Sequence, residues 1–170
     1  MRTTTGVFYN VSVLVLALGA SHSVMAAKSE PAEAYDPSVV NGVYRSVDDK
    51  TGFSRGLTDV HMKNGELVGY IVKTIPRPGY TPKTHCTGCP APYTNQPIVG
   101  LQVISGMKPV AGKAGEFSGG HLLDPVSGNL YKGTIKLSND HRKLKLRGYI
   151  GVPIMGRTQW WMREEHPERY

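Results

Sequence analysis

Apolar and polar residues alternate with a period of two through two neighbouring segments of this chain. In Leu130–Leu137, the residues Tyr131, Gly133, Ile135 and Leu137 share one face, and Lys132, Thr134 and Lys136 share the other. In Leu144–Ile150, Leu144, Leu146, Gly148 and Ile150 oppose Lys143, Lys145, Arg147 and Tyr149. Such alternation predicts strands with one dry and one wet face. Looser versions recur at Val39–Val47, Gly56–Lys63, Glu66–Ile75, Ile98–Ser105, Phe117–Leu123 and Gly156–Arg163. Turn residues separate the runs. Asn64-Gly65 is the sharpest hairpin signal, because both central positions of a type I′ turn need positive φ. Helical periodicity is absent from the same stretch.

About eight strands joined mostly by short turns suit an all-β, antiparallel up-and-down barrel or a sandwich. A barrel removes the edges through which open sheets aggregate. Recurring in-strand glycines favour it, since coiled strands need sharp bends and close backbone approach. One connection breaks the rhythm. Pro76–Pro97 holds six prolines and two glycines, so it is no central strand. Loops of that length in small domains are often functional.

The first 26 residues carry one charge, Arg2, followed by the apolar run Val11–Ala20 and small residues at Val24-Met25-Ala26. This pattern predicts a secretory signal peptide over 1–26, a polar leader over 27–38, a barrel over 39–165 and a tail over 166–170. Removing 26 of 170 residues leaves 144, enough for one core, and lowers the formal charge from +7 to +6. No second apolar span follows, so the mature chain is expected not to span a membrane, and to be periplasmic or secreted. A basic balance bears on solubility and anionic partners rather than on fold.

Three segments resemble the bacterial family known as domain of unknown function 2147. They are Gly100-Leu-Gln-Val-Ile-Ser-Gly106; Asp124-Pro-Val-Ser-Gly128 with Tyr131-Lys-Gly133; and Leu146-Arg-Gly-Tyr-Ile-Gly151 through Gly156-Arg-Thr158. The resemblance runs from about Val40 to Arg163. It implies a small exported protein with a lipocalin-like, or calycin, barrel, and by analogy of fold a carrier of small ligands. Lipocalin-like chains often place Gly-x-Trp on the first strand to plug the barrel floor. Here the position reads Gly42-Val-Tyr44, so the size of the cavity does not follow from the resemblance.

Candidate chemistry is sparse. Cys86-Thr-Gly-Cys89 reads as a local disulfide in an oxidising compartment. Exchange chemistry needs a thiolate at a helix N-terminus, and Pro90 and Pro92 follow instead. A metal site needs about four ligands, and only His85 stands near the pair. Haem attachment needs a histidine after the second cysteine. The histidines beyond the leader (His61, His85, His121, His141 and His166) are scattered, and no nucleophile elbow or zincin spacing occurs. Asp124, before Pro125, reads as a turn cap. No catalytic residue, cofactor or metal site is therefore predicted.

Lys132, Lys136, Lys143, Lys145, Arg147 and Arg163 form a basic stripe on wet faces. It reads as a solvated barrel exterior or as a surface for head groups or polyanions. A nucleic-acid platform would want interleaved aromatics, and only Tyr149 qualifies. An outer-membrane barrel would place these cations at the bilayer midplane.

The reading with most support is a non-enzymatic barrel that binds a small apolar or amphipathic ligand. Its predicted lining is Ile135, Leu137, Leu144, Leu146 and Ile150, one of Trp160 and Trp161, and Tyr70 or Tyr131 as a polar group, under the Pro76–Pro97 loop as lid. Eight strands enclose either packed side chains or one small ligand, and the sequence favours neither. The alternative is an envelope interaction or maintenance protein acting through its basic outer face and Cys-containing loop.

Overall fold

A computed structural model describes residues 35–48 and 51–170. The predicted signal peptide, and the predicted leader up to residue 34, lie outside the described residues. Each alternating run forms a strand: β1 Gly42–Val47, β2 Ser54–Lys63, β3 Glu66–Thr74, β4 Gln102–Pro109, β5 Glu116–Asp124, β6 Asn129–Leu137, β7 Lys143–Tyr149 and β8 Arg157–Arg163. Strands adjacent in sequence pair antiparallel, and β8 returns to β1, so the barrel closes. The closing register is Tyr44 opposite Arg163, Arg45 opposite Met162 and Ser46 opposite Trp161. Every strand thus has two partners, and no edge remains for intermolecular pairing.

Two predicted strands have a boundary that moves by three residues or more. The first strand starts at Gly42 because Pro37–Val40 forms a 3-10 turn. Asp36 caps that turn, accepting from the Ser38 amide at 2.8 Å, with proline at its first position. The fourth strand starts at Gln102 and runs to Pro109. Gly100 has φ +91, and its amide donates to the Ile71 carbonyl at 2.7 Å. That turn leaves Ile98 in the preceding loop, where its side chain is buried. The predicted hairpin at Asn64-Gly65 forms, with φ of 52 and 80. Of the in-strand glycines, Gly120 has the clearest reason to be glycine: a Cβ there would overlap the Ser105–Met107 backbone across the sheet.

Connections of an up-and-down barrel alternate between its ends. The β2–β3, β4–β5 and β6–β7 connections share one end with the segments before β1 and after β8; we call it the floor. The β1–β2, β3–β4, β5–β6 and β7–β8 connections share the other, the mouth. Toward the floor the interior is solid. Tyr44, Leu67, Met107, Phe117, Ile135 and Leu144 are none more than 1% exposed. Burying a side chain of that size stabilises the fold by about 1.5–3 kcal/mol. Toward the mouth the interior is hollow.

Candidate functional site: a half-hollow barrel under a tethered loop

Tyr44 closes the floor. Its ring is fully buried and its hydroxyl donates to the Val40 carbonyl at 2.8 Å. The Arg163 guanidinium lies over the ring, 4.9 Å from its centroid. The same guanidinium donates to the carbonyls of Asn41 (2.6 Å), Val39 (2.8 Å) and His141 (2.7 Å). The 3-10 turn is thereby pinned across the barrel end. Burial pushes the Tyr44 phenol up to about 12, with the nearby Arg163 charge opposing the shift. Tyrosine therefore fills the position that the lipocalin-like pattern gives to tryptophan.

Above this floor lies a cavity of about 150 Å³. One water needs only ~10–15 Å³ of such space, whereas pockets for drug-sized ligands begin near ~300 Å³. The apolar wall includes Leu57, Ile71, Val103, Leu122, Leu146 and Trp161. Tyr131 and Gln159 add polar groups. The rim is charged: Arg55, Lys73, Lys83 and Arg157 line it, against the single lining carboxylate of Asp124. Arg55 Nε donates to Asp48 at 2.9 Å, and its guanidinium lies 4.0 Å from Asp124.

The β3–β4 loop roofs the cavity. Tyr80, Pro82, Lys83 and Ile98 line the space from above. The loop carries its own backbone network: Cys86 N to Gln96 O at 2.9 Å, Asn95 N to Cys86 O at 3.1 Å, and Ile98 N to Thr84 O at 2.9 Å. Cys86 and Cys89 are disulfide-bonded, and both are buried. The loop is tied to two neighbours at the mouth. On one side Lys83 Nζ donates to the Val126 carbonyl at 3.1 Å. There the Gly88 carbonyl also sits where a Cβ on Gly128 would be, so this contact with the β5–β6 turn requires glycine. On the other side Arg77 lies over the rings of Tyr80 (4.7 Å) and Phe53 (5.3 Å) and donates to Thr51 at 2.7 Å.

The predicted lining residues divide into three groups. Tyr131, Leu146 and Trp161 line the cavity. Ile135, Leu137 and Leu144 are buried, but in the solid half rather than on the cavity wall. The rest lie off the interior. Tyr70 is on the outer face, stacked on His61 with centroids 5.9 Å apart, and His61 in turn meets Asp59 at 3.0 Å. Trp160 is exposed beneath Lys145, 5.7 Å from its ring. Ile150, expected to continue the dry face of β7, instead falls beyond the strand end at Tyr149 and is exposed.

Sequence reasoning missed Arg55, Lys73, Arg157 and Gln159. The signal was parity. Lys73 follows Leu67, Gly69 and Ile71 on the inward face of β3. Arg157 and Gln159 precede Trp161 on the inward face of β8. A polar residue at a dry-face position near a strand end marks a polar rim.

Among the described residues no group of three His, Cys, Asp or Glu side chains is placed to hold a metal. No helix among them is long and apolar enough to cross a membrane.

An eight-stranded antiparallel barrel, plugged at one end and hollow toward the other, defines a lipocalin-like protein. Residues 42–163 match the model of the family described as "Uncharacterized protein conserved in bacteria (DUF2147)", and the chain belongs to that family. Among solved structures it is similar to the Helicobacter pylori protein HP1028, described as belonging to the lipocalin family. The identity is 20%, with 76% of this chain and 85% of that chain covered and a TM-score of 0.61. That likeness carries the fold. No curated protein matches the sequence.

Proposed function

We propose that this is an exported, non-enzymatic binding protein for a small amphipathic ligand with an anionic head. The observation that carries the reading is the mouth-side cavity, apolar in its walls and ringed by Lys73, Lys83 and Arg157 under a tethered loop. Leu57, Ile71, Leu122 and Trp161 would bury the apolar part, at roughly 25 cal/mol per Å² removed from water. Lys73 and Lys83 would meet a carboxylate or phosphate at the rim, where hydrogen bonds to a charged group are stronger than neutral ones. Tyr131 and Gln159 are the polar groups available to fix orientation. The cavity volume favours a slim chain over a bulky ring system.

A fluorescent fatty-acid probe should bind the purified protein. Leu146→Trp should block it by filling the cavity while leaving the barrel folded. Lys73→Glu should weaken the carboxylate probe about tenfold and leave the matching fatty alcohol unaffected. Failure of both probes to bind would defeat the proposal; equal effects on acid and alcohol would remove the anionic head from it. Export predicts that N-terminal sequencing of the protein from the cell envelope begins near Ala27, and recovery of intact Met1 would contradict it.

The alternative, action through the basic stripe, has less support. Lys136 pairs with Glu116 at 2.8 Å, Lys145 covers Trp160, Arg147 holds loop carbonyls and Arg163 pins the floor.

A further inference from the structure

The β7–β8 connection, residues 150–156, has an inverted arrangement of polar and apolar groups. Ile150, Val152, Ile154 and Met155 are 61%, 54%, 86% and 81% exposed. The backbone beneath them is held from the outward face of β7. The Arg147 guanidinium donates to the Pro153 carbonyl at 2.8 Å and to the Ile154 carbonyl at 3.5 Å, and reaches Thr158 at 3.3 Å. A 3-10 turn at Pro153–Met155 fixes the tip. The loop is therefore a shaped knob in which the carbonyls of Val152, Pro153 and Ile154 accept hydrogen bonds and the apolar side chains are presented outward. Phe53, Val99 and Val126, on the other three mouth connections, are also exposed. Seven of the eleven exposed large apolar side chains among the described residues thus gather at the mouth. Scattered singly they would need no explanation; gathered at one end they mark a contact surface.

Acidic charge is sorted along the same axis, while lysine and arginine stand at both ends. All five described glutamates lie toward the floor: Glu66 opens β3, Glu116 opens β5, and Glu164, Glu165 and Glu168 follow β8. The mouth carries Arg55, Lys73, Arg77, Lys83 and Arg157, against Asp48 and Asp124, and Asp48 is bonded to Arg55. An apolar tip at a barrel end that carries more cations than acids matches an anionic bilayer: side chains enter the interface while lysine and arginine meet the head groups.

We infer that the mouth docks on an anionic lipid surface, with Ile154 and Met155 at the point of entry. Docking this way turns the cavity opening toward the bilayer. The inference does not depend on the ligand reading, since neither residue lines the cavity.

The test is cosedimentation of the purified protein with vesicles of phosphatidylglycerol mixed with phosphatidylcholine, compared with phosphatidylcholine alone. Binding should be strong to the mixed vesicles and weak to the neutral ones. It should fall steeply toward about 1 M salt, where the screening length is ~3 Å. The double variant Ile154→Asp, Met155→Asp should lose binding at least about tenfold. Its thermal unfolding and its binding of the fatty-acid probe should match wild type, which separates failure of docking from failure of the carrier reading. In Ile154→Trp, tryptophan emission should shift to the blue on mixed vesicles only. Wild type that ignores both vesicle types overturns the inference, as does a double variant that binds them normally. A dimer abolished by the double variant, with no vesicle binding by wild type, would reassign the knob to self-association and overturn it equally.

Discussion

The two halves of this barrel are made from the same strands and behave differently. Leu144 and Leu146 sit two residues apart on the inward face of β7. Leu144 packs in the solid half, while Leu146 borders the cavity. Tyr44 and Arg163 fill the floor end between β1 and β8, whereas Ser46 and Arg157, on the same two strands, line the hollow end. Strand number therefore does not decide whether such a barrel is packed or hollow. The choice is made locally, by which side chains occupy each inward position and by what covers each end.

The largest test of that contrast is truncation at the two leucines. Leu144→Ala should destabilise the protein by about 2–5 kcal/mol in denaturant unfolding, because the surroundings relax only partly around a new void. Leu146→Ala enlarges a space that already exists and should cost less. Equal costs would mean that the halves do not differ in packing.

A smaller effect is expected at the roofing loop. Joining Cys86 to Cys89 closes a very short ring, for which loop-closure entropy gives about 2 kcal/mol at most. The double variant Cys86→Ser, Cys89→Ser should lose no more than that, with faster amide exchange confined to the β3–β4 loop. Accelerated exchange in the floor strands would show that the two halves are coupled.

The smallest effect sharpens the floor. Tyr44→Phe removes the bond to the Val40 carbonyl and should cost about 1 kcal/mol. The phenol holds its proton more tightly when folded than when unfolded. Its contribution is thus fully present below pH 10 and is lost as pH rises toward about 12. Unfolding curves across that window should fall more steeply for wild type than for Tyr44→Phe. Parallel curves would mean that Tyr44 does not link the floor to pH.

The barrel was legible in the sequence because strand alternation and turn chemistry are local. Lys132, Thr134 and Lys136 alternate with buried Gly133, Ile135 and Leu137 as the period required. The long loop was also legible, since six prolines among 22 residues (76 to 97) exclude a central strand. The cavity was not, because its position depends on ends. Nothing within β7 distinguishes Leu144 from Leu146; the difference comes from Tyr44 and the 3-10 turn at one end and from the roofing loop at the other. Ile150 shows the same limit. Its parity matched a dry face, but Gly151, with φ +76, follows it where the chain leaves the sheet, and alternation says nothing about where a strand stops.

The seam between β1 and β8 is the one pairing in the barrel whose strands are not consecutive in the chain, and its register is only three residue pairs long. An even number of strands brings both of its outer ends to the floor. A force applied through the two ends of the barrel would therefore load those pairs one after another, as in peeling, and not all together, as in shear. The bond from the Glu164 amide to the Val43 carbonyl, at 2.8 Å, would be the first to carry it, and the Tyr44–Arg163 pair the next. Mechanically, the barrel is a cylinder whose zip begins at its plugged end.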